Sequence, residues 1–237
     1  MRNTRKTVLF IVEGPSDKTA LEKIFKTIYK QSKNIAFKFT NGDISSDPSV
    51  TVSNVEDRIN QIIRNFLDDK KLKRSDIFQV VQIFDMDGVF IPDEAIILGE
   101  SYSFVYSTQN ISCKDVEHAK ERNALKREIL NHLLSLQHIK EWPYEMYFMS
   151  CNLDHALYDE INLDHELKQD YADKFYERFL GKEYLFIEFL KDDVVNGVPD
   201  TLSASWRYIK EDLHSLERHT NLHIYFNLHR LPGGIPI

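Results

Sequence analysis

Acidic side chains follow three separate apolar segments of this 237-residue chain, each close to the point where the segment ends. They are Glu13, Asp85, Asp87 and Asp154. Taken singly, each acid could be a solvated loop residue or a helix cap. Carboxylates that gather at one place repel one another, and they are tolerated when a divalent cation neutralises them. Because Mg²⁺ prefers carboxylate and water oxygens, the sequence predicts a site for Mg²⁺, or alternatively Mn²⁺, if the fold brings these segments together.

The segments that carry these acids belong to an alternation of strands and helices. Residues 7–12 and 77–84 are continuous apolar runs, which are typical of buried strands in a parallel sheet. Between them, apolar residues at helical spacing predict two helices, separated by a short strand over residues 35–39. This alternation indicates parallel strands joined by helical crossovers. Ligands bind such sheets beyond the carboxyl ends of the strands, where the acids lie.

The remainder of the chain has less regular patterns. Residues 95–98 and 102–106 are predicted to be short strands of an insertion, and a long helix is predicted to begin near Asp115. A strand over residues 144–149 follows, and the chain turns helical from Asn152. Apolar residues at helical spacing predict a further helix: Leu202, Trp206, Ile209, Leu213 and Leu216. Apolar residues that alternate with polar ones predict a half-buried strand: Leu222, Ile224, Phe226 and Leu228.

These elements predict a single α/β protein with no linker that would separate two domains. The core would cover residues 1–160 and contain a helical insertion at about residues 89–142. Residues 161–237 would form a C-terminal helical segment packed on this core.

The composition excludes several classes of protein. Lys plus Arg number 30 against 37 Asp plus Glu, and the net charge of −7 argues against a protein that coats DNA by charge alone. No apolar run approaches the roughly 20 residues that span a bilayer, so we expect no membrane association. The two cysteines, Cys113 and Cys151, cannot form a disulfide scaffold and favour a reducing cytoplasm.

Two short motifs resemble those of Toprim domains, the metal-binding folds of topoisomerases, bacterial primases and OLD-family nucleases. Residues 12–17, Val-Glu-Gly-Pro-Ser-Asp, are followed by a helix and resemble the first Toprim motif. Residues 84–88, Phe-Asp-Met-Asp-Gly, match the second, an Asp-x-Asp after an apolar strand. The spacing from Glu13 to Asp17 is nearer to that of the OLD-type nucleases than to that of the topoisomerases.

A looser parallel concerns residues 147–154. Small Toprim proteins of bacterial defence loci, including the RloB type and the effector of the PARIS system, carry a strand, a Ser-led segment and an acid at a helix start. Residues 147–154 resemble that arrangement, with Asp154 where Glu is expected. The whole resemblance covers roughly residues 6–160.

The resemblance implies a Toprim-like, Rossmannoid parallel sheet flanked by helices. It also implies Mg²⁺-dependent cleavage of phosphodiester bonds, with DNA, tRNA or another RNA as substrate. The catalytic residues would be Glu13, Asp85 and Asp87, and Asp17 and Asp154 would join them as metal ligands. Whether one or two metal ions bind is left open.

Further residues and partners follow from the same resemblance. Lys18 and Ser150 are predicted to contact the substrate. No residue clearly matches the lysine that some OLD-type enzymes use, for which Lys18 and Lys182 are the candidates. The implied setting is anti-phage defence by abortive infection, in which a toxic nuclease is held by an ATPase of the ABC or SMC type. A homo-oligomer of the nuclease is compatible with this setting.

Two other functions compete with the nuclease. Residues 83–89 also resemble the first motif of haloacid-dehalogenase-type phosphatases, in which Asp85 would be the nucleophile and Asp87 the general acid. That motif normally follows the first strand of its domain, whereas two strands precede it here, and Glu13 and Asp17 would have no role. The second alternative is a non-catalytic module whose acidic surface binds a protein partner.

Overall fold

The protein is described here by a computed structural model that covers residues 6–40 and 42–229. Within these residues the strands are β1 Thr7–Val12, β2 Asn34–Phe39, β3 Ile77–Asp85, β4 Ile96–Leu98, β5 Val105–Tyr106, β6 Ile111–Cys113, β7 His138–Ile139, β8 Trp142–Ser150 and β9 His219–Thr220. The α-helices are α1 Pro15–Tyr29, α2 Val55–Lys70, α3 Val116–Leu134, α4 Leu153–Tyr158, α5 Lys168–Phe179, α6 Leu185–Phe189, α7 Leu202–Tyr208 and α8 Leu222–Leu228.

A six-stranded, mostly parallel sheet forms the centre of the fold. Its strand order is β2-β1-β3-β8-β7, and β9 pairs with β8 in the antiparallel direction. Strands β2, β1, β3 and β8 are mutually parallel, so their carboxyl ends meet at one edge. The predicted α/β fold with a parallel sheet is therefore confirmed.

Helices cover both faces of this sheet, because successive side chains of a strand point to opposite sides. In β1, Phe10 packs on one face against apolar residues of α1, α5 and α8. Its neighbour Ile11 packs on the other face against α2, α3 and α7. All six residues of β1 are buried, which explains its continuous apolar sequence.

The insertion between β3 and β8 contains a second, three-stranded sheet as well as a long helix. This small sheet has the order β4-β6-β5. Helix α3 follows it and begins where the sequence predicts, because the Asp115 carboxylate accepts a hydrogen bond from the His118 N–H at 3.0 Å. Of the predicted strand over residues 102–106, only Val105–Tyr106 forms.

The predicted strand over residues 222–228 is wrong, since the chain forms helix α8 there. Leu222, Ile224 and Phe226 are buried, but His223 and Tyr225 between them are buried as well, and Leu228 is exposed. A short helix that is surrounded by protein gives no reliable periodicity. The helix predicted over residues 202–216 is shorter than expected and ends at Tyr208, and β9 adds a strand to a segment that was predicted to be helical.

None of the helices in the part of the chain that the structure describes is both long and apolar enough to cross a membrane.

Candidate metal centre

Three carboxylates from different strand ends converge at the carboxyl edge of the sheet. One oxygen each of Glu13, Asp43 and Asp87 lies within 4.8 Å of the other two. Glu13 directly follows β1, Asp43 lies in the loop after β2, and Asp87 lies in the turn after β3. Oxygens on opposite sides of one Mg²⁺ are about 4.2 Å apart, so a small contraction would let a single cation contact all three.

Asp43 is a member of this group that the sequence analysis missed. Its carboxylate accepts hydrogen bonds from the Ser45 and Ser46 hydroxyls and from the Lys126 ammonium. Burial raises the pKa of Asp43, but Lys126 and the two serines outweigh burial and hold this pKa below its ordinary value. The side chain is therefore ionised and held in place, as a metal ligand would need to be.

Lys126 supplies a positive charge at the centre of the acids. Its side chain is fully buried, and its Nζ lies 2.7 Å from Asp43 Oδ2 and 2.9 Å from Asp87 Oδ2. Burial lowers the pKa of Lys126, but the carboxylates of Asp43, Asp87 and Glu13 raise it well above the ordinary value. The ammonium group therefore stays charged and takes part in holding the carboxylates together.

Asp85 lies beside the group of Glu13, Asp43 and Asp87, although we expected it to converge with Glu13 and Asp87. Its N–H donates to Glu13 Oε1 at 3.1 Å, and its Oδ1 accepts from the Leu153 N–H at 2.8 Å. The pKa of Asp85 lies well above its ordinary value, mainly because the carboxyl group is buried and also because Asp17 and Asp87 are negatively charged. The pKa of Glu13 is raised in the same way, mainly by burial and also by the negative charges of Asp43 and Asp85.

Asp17 and Asp154 form a second acidic region with Asp85. Asp17 Oδ2 accepts from the Gly14 N–H at 2.7 Å, and Asp154 Oδ2 lies 2.6 Å from Lys168 Nζ. Asp154 is buried, and its other oxygen, Oδ1, has no hydrogen-bond partner among the described residues. Burial raises the pKa of Asp154 more than Lys168 lowers it. A buried carboxylate oxygen without a donor is suited to a cation.

An open cleft of about 560 Å³ lies along these acids. Glu13, Asp17 and Asp85 line one part of it, and His165 and Lys168 line another. Glu13, Asp17 and Asp85 are therefore accessible from solvent through this cleft.

The other predicted site residues lie away from these contacts. Lys18 is 3.7 Å from Glu22 in an ion pair on α1. Ser150 is fully buried and donates to the main-chain oxygen of His214 at 3.0 Å, so it presents no surface to a substrate. Lys182, the other candidate for a catalytic lysine, is exposed in the turn between α5 and α6. The structure places Lys126 at the acids instead.

Comparisons of the chain with protein-family models, with curated proteins and with solved structures gave no match. The functional interpretation therefore depends on the site itself. Its donor set consists of carboxylate oxygens, which suit a hard divalent cation such as Mg²⁺ or Mn²⁺.

Proposed function

We propose that the protein is a nuclease that hydrolyses phosphodiester bonds with the help of a divalent cation, Mg²⁺ or Mn²⁺. The observation that carries this proposal is the convergence of Glu13, Asp43 and Asp87 within 4.8 Å of one another. The open cleft that Glu13 lines supports it, because a substrate needs access to the cation.

The charges of this group support a divalent ion. When all three carboxylates are ionised, they and the ammonium of Lys126 leave two negative charges, which one divalent cation would neutralise. Glu13, Asp43 and Asp87 would hold the ion, and a bound ion would lower the pKa of a water nucleophile and stabilise charge on the phosphate. Lys126 would keep Asp43 and Asp87 in place, because it bonds to both.

The second acidic region has a similar composition. Lys168 contacts Asp154 at 2.6 Å, and, besides burial, the negative charges of Asp17 and Asp154 both contribute to the raised pKa of Asp85. We include this region in the proposal as the place for a second cation next to the cleft. Lys168 and His165 would face the substrate from α5 and the turn before it.

The choice of nucleic acid rests on the Toprim-like motifs at residues 12–17 and 84–88. The net charge of −7 means that phosphate groups would be attracted locally, through the cation and Lys168, and not by the whole surface. By the same resemblance we propose a cytoplasmic role in anti-phage defence, with an ABC- or SMC-type ATPase as partner.

A cleavage assay with matched variants tests the proposal. Supercoiled DNA and total tRNA are incubated with the protein and Mg²⁺ or Mn²⁺. Glu13→Gln removes one ligand charge without changing size, and we expect cleavage to fall by about 10²-fold or more. Glu177→Gln, the same substitution at an exposed position on α5, serves as the control and should cleave like the parent. Undiminished cleavage by Glu13→Gln would refute the mechanism.

The same variants separate the competing functions. A phosphatase that uses Asp85 as its nucleophile would hydrolyse a small phosphomonoester after Glu13→Gln but not after Asp85→Asn. The Asp85 N–H donates a hydrogen bond to Glu13, so the two residues belong to one site. This contact favours the nuclease, because only the nuclease mechanism gives Glu13 a role. A protein that binds Mn²⁺ but cleaves neither kind of substrate would be the binding module.

A further inference from the structure

The turn that carries Asp87 has an uncommon backbone conformation. Asp87 and Gly88 have positive φ angles of 50° and 65°, in the left-handed region that residues other than Gly rarely adopt. Their N–H groups donate to main-chain oxygens of the segments after β8 and α7 at 2.7 and 3.0 Å. The turn therefore requires external support to hold the Asp87 carboxylate in place.

Two neighbouring residues of α3 bind the carbonyl groups of this turn. Arg122 Nη2 donates to the Asp87 oxygen at 3.0 Å, and Asn123 Nδ2 donates to the Gly88 oxygen at 3.1 Å. The Asn123 side-chain oxygen in turn accepts from Arg122 Nη2 at 2.6 Å. The two side chains thus form one connected support under the turn.

The small sheet and the connection between β4 and β5 contact Arg122 from the other side. The Phe104 ring centroid lies 4.4 Å from the guanidinium carbon, and the Tyr106 hydroxyl accepts from Arg122 Nη1 at 3.2 Å. Tyr106 is itself fixed, because its main-chain N–H and oxygen both bond to the Asn162 side chain, at 2.8 and 2.7 Å. The guanidinium is therefore held on its face and on two of its edges.

We propose that Arg122 is a positioning residue for Asp87, and that the insertion with Phe104 and Tyr106 serves to hold it. By fixing the Asp87–Gly88 turn, Arg122 would keep the Asp87 carboxylate beside Glu13 and Asp43. This inference rests on the proposed metal centre and adds to it a function for the small sheet, which contributes no ligand.

The charge of Arg122 and its support of the turn predict opposite effects on the affinity for the cation. A positive side chain near a cation repels it, so the charge of Arg122 alone would weaken metal binding, and its removal would strengthen binding. The support that Arg122 gives to the turn would strengthen metal binding, because loss of that support would displace the Asp87 carboxylate. Arg122→Lys separates the two effects, since it keeps the charge but loses the planar, bidentate geometry and most of the stacking.

The experiment is a Mn²⁺ titration of the full chain by calorimetry, together with hydrogen exchange of residues 86–90 in the metal-free protein. We expect Arg122→Lys to weaken Mn²⁺ binding by about 10-fold or more, as is usual for residues that orient metal ligands. We also expect faster exchange in residues 86–90. Tyr106→Phe, which removes one hydroxyl from the support, should change both quantities in the same direction but less.

Arg127→Lys is the matched control, because Arg127 lies on the same helix and forms a long, 3.7 Å ion pair with Asp93. It should change neither quantity. Parent-like Mn²⁺ affinity in Arg122→Lys would overturn the inference and leave the metal centre standing. Weakened binding with unchanged exchange at residues 86–90 would also overturn it, since Arg122 would then act elsewhere. A parent protein that takes up no Mn²⁺ would refute the metal centre, and the inference with it.

Discussion

At the scale of single residues, the site is determined by the pairing of a buried lysine with several carboxylates. Lys126 has no exposed side-chain surface, and two of its carboxylate partners come from separate strand connections. A buried charge is stable only with such partners, and removal of one partner leaves the others unbalanced. Lys126 therefore links the proposed metal centre to the stability of the fold.

This pairing predicts a loss of stability that a metal ion can repair. Lys126→Met leaves Asp43 and Asp87 without their ammonium group, and we expect metal-free protein to lose about 3 kcal/mol of unfolding free energy. Added Mn²⁺ should raise the melting temperature of the variant more than that of the parent, because the cation replaces the missing charge. Thermal unfolding with chelator and with Mn²⁺ measures both effects.

The control for this prediction is Lys120→Met on the same helix. Lys120 forms an exposed ion pair with Glu117, and such pairs contribute little to stability. Its melting temperature should stay near that of the parent. A parent-like melting temperature for metal-free Lys126→Met would show that the lysine does not balance the acids.

At the scale of elements, the strands of the central sheet could be predicted from the sequence more reliably than the site residues in the loops that connect them. Strands β1 and β3 were recognisable because both of their faces are buried, and the rule that sites lie at carboxyl ends then identified Glu13, Asp85 and Asp87. Asp43 was not recognised, since its loop is rich in polar residues and has no periodicity. Its position next to Glu13 follows only from the pairing of β1 with β2.

Lys126 was missed for a different reason. It lies three residues before Ile129 and four before Leu130, on the buried face of α3. A lysine on an apolar helical face was the available signal, but only the structure shows which carboxylates it meets. The strand predicted over residues 222–228 failed because α8 is surrounded by protein, so that neighbouring residues are buried alike.

The last of these differences leads to a prediction for α8. Phe226 and Tyr225 both pack against α1, within 4.9 and 6.1 Å of the Phe25 ring centroid. In a half-buried strand, Tyr225 would instead face solvent. We expect Tyr225→Ala and Phe226→Ala each to lower the unfolding free energy by about 3–5 kcal/mol. Leu228→Ala is the control, because this side chain is 61% exposed and should have little effect.

Chemical denaturation of the three variants measures these differences. A large loss of unfolding free energy in Phe226→Ala, together with a negligible loss in Tyr225→Ala, would contradict helix α8. It would support a half-buried strand over residues 222–228 instead.

At the scale of the whole molecule, the sheet, the insertion and the C-terminal segment meet at one acidic edge. The four parallel strands place their connections there, α3 contributes Lys126, and α5 contributes Lys168 beside the cleft. Two groups of acids, each with a single lysine, thus lie along the same edge. Because the net charge is −7, a cation at this edge would provide the proposed link between the protein and an anionic substrate.

The location of a bound cation tests this account most directly. Crystals of the protein soaked in Mn²⁺ would be measured for anomalous scattering, which identifies the ion without reference to activity. The account predicts a peak about 2.1 Å from carboxylate oxygens of Glu13, Asp43 and Asp87. It also predicts that this peak is lost in Glu13→Gln crystals. A Mn²⁺ peak elsewhere on the molecule, or no peak while Lys126 still bridges Asp43 and Asp87, would contradict the metal centre.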